Sequence, residues 1–452
     1  MSMKKVDFDN GRIVQNICQT AFPMLVAQVL SLLYNIVDRI YIGRIPGSGT
    51  EALGAVGLCF PVIILITGFT NMFGMGGSPL FAMELGRGNK KKAAEILNTA
   101  LRLLVLTAIM IIAAGELFCT PMLRLFGATE NELVFSAPYL RIYLLGTVFS
   151  MVGTGMNPYI NAMGYSAIGM MIVTVGAGAN LVLDPLFIFV FGMGVQGAAI
   201  ATVISQGLAM WFSLHFFMSA RNEYRLQAGC ALPYAGEIAS LGTAPFIMQV
   251  TNSLVSIACN SVLMQFGGSM YVSVMTIVSS VRQILDTPVM AITEGTSPII
   301  SYNYGAKRPA NVKKAVYVMM ALALPYTFVM WLLVLLIPSV FIGIFSRDAA
   351  LEAPAVPALR IYFAAFIFQS LQYSGQTVFK ALNKKKRAIF FSLFRKVILV
   401  VPLTYMLPYL FGMGTDGVFT AEPISNVVGG LACFVTMLLT IWPELSRMES
   451  CS

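Results

Sequence analysis

The chain has 452 residues, 57% of them hydrophobic and only 11% charged, against about a quarter charged in an ordinary soluble domain. That balance excludes a soluble globular protein and predicts a polytopic membrane protein. The formal charge of +9 does not mark a nucleic-acid surface, because the basic residues gather on one side of the expected membrane, which is a topology signal.

About twelve apolar segments are long enough to cross a bilayer, which takes about 20 residues each. In chain order they run over 17–42, 53–82, 95–119, 136–160, 166–191, 196–219, 239–265, 272–302, 313–341, 357–381, 388–411 and 417–441. Lys4 and Lys5 precede the first segment, but it is too long for a signal-peptide core and no small-residue cleavage site follows, so it is expected to remain as the first helix. With the N-terminus cytoplasmic, all thirteen lysines fall at inner ends, inner loops or the N-terminal tail, Lys396 among them. Seven arginines (39, 44, 124, 141, 282, 347 and 360) fall outside, leaving 22 of the 29 basic residues inside, which predicts both termini in the cytoplasm. The seven cysteines show no metal spacing and read as small apolar residues.

The first segment carries Asp38. An acid at membrane depth costs roughly 2.5–3.5 kcal/mol even on insertion scales, so it marks an ion or substrate pathway unless it pairs with adjacent Arg39 at the membrane surface. In the fifth segment Asn180 and Asp184 are four apart and share a helix face. Under the N-in topology Asp38 and Asp184 lie at similar depth. Two such acids with an amide offer hard oxygen donors to a small cation or a site for a proton. Tyr34 and Asn35 lie one turn before Asp38, where they can orient it. Tyr139 and Thr202 are further candidates, though polar residues in such helices are often structural.

An internal repeat organises the whole chain. Gly77-Ser78-Pro79 with Gly86 recurs as Thr296-Ser297-Pro298 with Gly305, Leu140-Arg141-Ile142-Tyr143 as Leu359-Arg360-Ile361-Tyr362, and Phe191-Gly192-Met193-Gly194 as Phe411-Gly412-Met413-Gly414. Near the start Gln28 answers to Gln249 and Gly47 to Gly268. The offset of 219 to 221 residues is a duplication of six helices. The expected fold is therefore all-α, with twelve transmembrane helices in two pseudo-symmetric six-helix lobes, 1–220 and 238–452, joined by a cytoplasmic linker at 221–237. An even number of helices per repeat gives a parallel repeat, as in transporters that alternate access between two lobes.

The first segment with Pro23, Gln28, Tyr34, Asn35 and Asp38, the Ser-Pro…Gly pattern entering a basic loop in both halves, and Asn180 through Pro185 together resemble the multidrug and toxic compound extrusion (MATE) family. Glu294 through Gly305 is similar to its MepA-like bacterial branch. The resemblance covers essentially the whole chain. It implies an antiporter in the bacterial inner membrane, driven by H+ or Na+, that exports lipophilic organic cations and drugs, with no cofactor and no obligatory protein partner. It also implies that Asp38, Asp184 and Asn180 form a cation site in the N-lobe, and that these three are the metal ligands if Na+ is the coupling ion.

The C-lobe has no acids at the equivalent places: Asp38 aligns near Cys259, and Asp184 near Leu403 and Thr404. It carries instead Glu294 and Glu422, candidates to face a cationic substrate or to supply a second coupling site, of which Glu422, nearer an outer helix end, is expected to be just hydrated. Arg282 and Asp286, four apart, read as an ion pair, and Arg282 as the one clear intramembrane arginine. Gln28, Gln249, Met72, Met75, Phe149, Met156 and Met248 are candidate linings of a pliable substrate pocket, although methionine and phenylalanine this abundant also fill cores and face lipid. Pro23 and Pro185 border the acids and remove helical hydrogen bonds there. A lipid-linked oligosaccharide flippase of the same wider superfamily would share the architecture but is expected to carry more cations in its cavity. A membrane enzyme is disfavoured, since there is one histidine, His215, and no nucleophile–base pairing.

Overall fold

The computed structural model describes residues 5–46, 49–219, 224, 226, 229, 231–345 and 349–450; among them there is no strand. The membrane-length helices are α1 (Ile13–Gly43), α2 (Phe60–Gly86), α3 (Lys90–Leu125), α4 (Glu130–Leu145 and Thr147–Ala162, bent by 52°), α5 (Ser166–Val190) and α6 (Gly194–Met218). A helix at Ala235–Gly305 follows, then α9 (Pro309–Leu336), α10 (Ala349–Phe363 and Ile367–Ala381, bent by 47°), α11 (Lys385–Tyr409) and α12 (Gly414–Ser450). The 71 residues of Ala235–Gly305 would reach about 105 Å as one straight helix, more than three times the roughly 30 Å hydrocarbon core. Gly268 divides them: its φ of 66° and ψ of −165° lie where a side chain is not tolerated. The two arms, α7 (235–267) and α8 (269–305), are separate spans, and the described residues thus hold twelve.

The duplication is visible in backbone angles. Gly192 and Gly194 have φ of 66° and 55°, and Gly412 and Gly414 have 66° and 54°. Both turns are then closed the same way: a Cβ on Gly197 would lie 2.7 Å from the Phe187 backbone, and one on Gly417 would lie 2.8 Å from Pro408 N. The bends of α4 and α10 follow the two copies of Leu-Arg-Ile-Tyr. Gly47, the expected partner of Gly268, and residues 221–223, 225, 227, 228 and 230 of the expected linker at 221–237 lie outside the described residues.

The chain forms two compact units, one of residues 1–7 and 23–246, the other of 8–22 and 247–452. These bounds differ from the repeat bounds in one respect. Each unit contains the opening stretch of the other repeat's leading helix. In the first unit α2 and the start of α7 approach backbone to backbone, so that a Cβ on Gly76 would lie 2.6 Å from Gly242 Cα. In the second, a Cβ on Gly295 of α8 would lie 2.8 Å from Ala21 Cα of α1, and Thr20 Oγ1 donates to the Gly295 carbonyl at 2.8 Å. Small residues permit such close crossings where lipid supplies no hydrophobic force.

Both repeats also carry a π-helical stretch in their fifth helix, Leu186–Val190 in α5 and Phe394–Val400 in α11. A proline stands beside each, Pro185 and Pro402. Since proline cannot donate to the helical ladder, the wider i→i+5 register absorbs the interruption, an arrangement common at functional sites.

Candidate functional site

In the first unit α1 and α5 bring the carboxyl groups of Asp38 and Asp184 next to each other. Asp184 is fully buried one residue before Pro185, where the α-helical register gives way to the π stretch. Asn180, also buried, donates from Nδ2 to Asp184 Oδ1 at 3.1 Å and to Thr202 Oγ1 of α6 at 3.4 Å. That use of the amide nitrogen leaves the amide oxygen facing inward. Asp38 Oδ1, Asp184 Oδ2 and Asn180 Oδ1 are all buried and carry no hydrogen bond among the described residues. Buried acceptors are ordinarily satisfied, so three orphaned oxygens from three adjacent side chains form a cradle whose chemistry suits a small hard cation or a proton. Among the described residues no Asp38–Arg39 ion pair forms; the Arg39 guanidinium lies over the Phe60 ring at 4.8 Å.

Tyrosines wall the acids. Tyr34 and Tyr139 both stand within electrostatic reach of Asp38 and Asp184. Tyr139 is buried and stacks on Tyr143 of α4, with ring centroids 6.2 Å apart. Tyr143 in turn bonds Gln206 of α6. Tyr143 and Gln206 are members of this site that sequence reasoning did not name; the first lies four residues from Tyr139 and the second four from Thr202, a helical spacing that points to both. Asn35 is exposed and donates to the Ser31 carbonyl at 2.6 Å.

The expected substrate residues are more scattered. Gln28, Gln249, Met75 and Met248 are half-buried on α1, α7, α2 and α7 respectively. Met72 lines an apolar groove of about 590 Å³ in the first unit, with Phe69, Leu103, Met110 and Ala239. Phe149 packs 3.7 Å from the Cβ position of Gly207, and Met156 is fully buried in the core of the first unit. Glu294 is half-buried on α8 within electrostatic reach of Lys380.

The second unit corrects three expectations. Glu422 is 3% exposed rather than hydrated. Its Oε1 is shared by Arg282 Nη1 at 2.8 Å, Arg395 Nη1 at 3.0 Å and Lys396 Nζ at 3.4 Å. Arg282 is therefore not the one intramembrane arginine, and Lys396 does not sit at an inner helix end; Arg395 and Lys396 are both buried in the π stretch of α11. The Arg282–Asp286 pair does form, at 3.3 Å. Cys259 Sγ and Thr404 Oγ1, at the repeat positions of the two acids, meet at 3.8 Å. The duplication thus preserves the juxtaposition and changes its chemistry.

The MatE family model matches residues 23–186 and again 245–406, once in each repeat. The chain belongs to the MatE family. A relative, the multidrug export protein MepA of Staphylococcus aureus (strain N315), is 24% identical over 437 residues, covering 96% of this chain and 95% of that protein. A FAD transporter of Shewanella oneidensis is 26% identical over 439 residues, 94% of this chain and 93% of that one. Among solved structures, an outward-facing multidrug resistance MATE family transporter superposes over 100% of both chains with a TM-score of 0.91 at 21% identity. MatE membership and twelve apolar spans establish a multi-pass membrane protein with the MATE fold.

Proposed function

We propose that the protein is an antiporter that exports small, mostly lipophilic and cationic organic compounds in exchange for H+ or Na+, bound at Asp38, Asp184 and Asn180. The observation that carries this reading is the cradle of three orphaned oxygens on α1 and α5. A site able to hold either a cation or a proton, between helices interrupted by Pro23 and Pro185, has the chemistry that coupling requires. The name of the Staphylococcus aureus relative supports multidrug export. The repeats 1–220 and 238–452 act as the two lobes of alternating access, and the charge asymmetry supports both termini and the 221–237 linker on the cytoplasmic face of a bacterial inner membrane. Glu294, a half-buried acid on α8, is suited to attract a cationic cargo.

A second cargo reading has its own support. The FAD transporter relative covers nearly the whole chain, which favours an anionic flavin nucleotide as an alternative substrate. Both readings meet in one experiment: vesicles loaded with a cationic dye or with FAD, and a proton gradient or a sodium gradient imposed alone. Gradient-driven dye efflux that Asp38→Asn abolishes is the expected result. FAD efflux without dye efflux would replace the cargo, and wild-type efflux by Asp38→Asn would remove the coupling site.

A further inference from the structure

The cluster around Glu422 holds three cations, Arg282, Arg395 and Lys396, and two anions, Asp286 and Glu422. Arg395, Lys396, Asp286 and Glu422 are each 7% exposed or less. With every group ionised it carries one positive charge in excess, and an uncompensated charge inside a protein costs several kcal/mol. Arginine cannot relieve that excess, because its guanidinium stays protonated in proteins, whereas lysine can.

Geometry singles out the same side chain. The oxygen that Lys396 shares is already held by both arginines at shorter distances, 2.8 and 3.0 Å against 3.4 Å. The second carboxylate offers Lys396 no relief, for Asp286 accepts from Gln369 at 2.8 Å on each oxygen, from Arg282 at 3.3 Å and from Tyr373 at 3.3 Å. Within electrostatic reach of Lys396 are Arg282 and Asp286 of α8, Cys259 of α7, Arg395 of α11 and Glu422 of α12; Tyr362 and Tyr373 of α10 and Asn426 of α12 complete the cluster through Arg282, Asp286 and Arg395.

Repeat position adds an independent reason. Glu422 stands 220 residues after Thr202 and Asn426 220 after Gln206, the offset shared by the two Phe-Gly-Met-Gly turns. The cluster is therefore the counterpart of the cation cradle. There the oxygens are left open to an exchangeable ion; here tethered cations already hold the carboxylates, so what remains to exchange is a proton.

We propose that Lys396 is a second proton-carrying group, and that the cluster around Glu422 is a proton-binding site separate from Asp38 and Asp184. On release, one Nζ–H bond breaks, the lone pair stays on nitrogen and the proton leaves to solvent water, taking the cluster from +1 to neutral. Transfer to Glu422 instead would leave the excess charge in place, so release to solvent is the step that removes it. The inference goes beyond the transport reading and stands or falls on proton binding alone.

The test is a proton count on the purified full-length protein, titrated with a pH indicator from about pH 5 to pH 9, a range in which an ordinary lysine stays charged. Lys396→Met and Lys396→Arg should each release one proton fewer than wild type, and the double variant Asp38→Asn/Asp184→Asn should keep that proton. A folded Lys396 variant with the wild-type count would overturn the proposal. Should Lys396→Met fail to fold, Lys396→Arg, which keeps the positive charge, decides. As a second measurement, 15N-lysine NMR of the wild type should show a titrating side-chain signal that is missing from Lys396→Arg. Absence of any titrating lysine signal, or its persistence in that variant, would equally overturn it.

Discussion

The two units use equivalent places for opposite electrostatics. In the first, Asp38, Asp184 and Asn180 leave three buried oxygens without hydrogen-bond donors. In the second, Cys259 and Thr404 take the acids' positions, and the charge moves to Glu422, Arg395 and Lys396, where Glu422 Oε1 is already held by three cations. A shared backbone therefore does not imply a shared ligand. The lesson is that an open site and a filled one can be built on one scaffold by deciding whether the cation is diffusible or tethered.

The comparison is broken most strongly by removing the open site. Asp184→Asn should reach wild-type membrane levels, since it removes a buried charge rather than stranding one, yet lower coupling-ion affinity by about a hundredfold, at the upper end of what loss of a supporting ligand contact costs. Ion-dependent efflux in vesicles measures this, and unchanged ion dependence would leave the first unit without a special role. In the filled site the balance reverses. Glu422→Gln takes the carboxylate from the buried Arg395 and Lys396, while Arg282 keeps Asp286, and should destabilise the folded protein by about 3–5 kcal/mol, read as a lowered unfolding temperature in detergent. Thr202→Ala at the matching place loses only a 3.4 Å contact and should cost about 1 kcal/mol.

Smaller effects test whether the scaffold itself is symmetric. Gly76→Ala and Gly295→Ala each put a methyl against a facing backbone, at 2.6 and 2.8 Å, and each should cost about 1–3 kcal/mol by overpacking. Gly192→Ala and Gly412→Ala probe the two turns. Both have φ of 66° and open space around them, so each should lose about 1–2 kcal/mol from the left-handed backbone alone, and by nearly equal amounts. Unequal losses in thermal unfolding would show that the two turns are not equivalent.

Much of this was legible in the sequence. The spans follow from hydropathy, and the duplication from motifs such as Phe-Gly-Met-Gly, whose glycines keep matching angles in both copies. The pairing of Asp38 with Asp184 followed from two acids at matching depth. The filled site was not legible, because α11 has a mean hydropathy of 1.7 over its most apolar window despite Lys396, and a charge-side count assigns any lysine near a span to the inner face. Tethered ion pairs hide inside apolar helices because each charge cancels its neighbour in space, which no average along the chain detects. The 220-residue offset from Thr202 to Glu422 was the available signal.

The opening stretch of each leading helix belongs to the unit built by the other repeat: residues 8–22 complete the second unit and 235–246 the first. Neither repeat is self-sufficient, and a chain severed between 220 and 235 would yield two halves that each keep a piece the other needs. In the vocabulary of oligomers this is reciprocal domain swapping written into a single polypeptide. A half expressed alone should therefore seek a second copy of itself, whereas two different halves made together can restore both units.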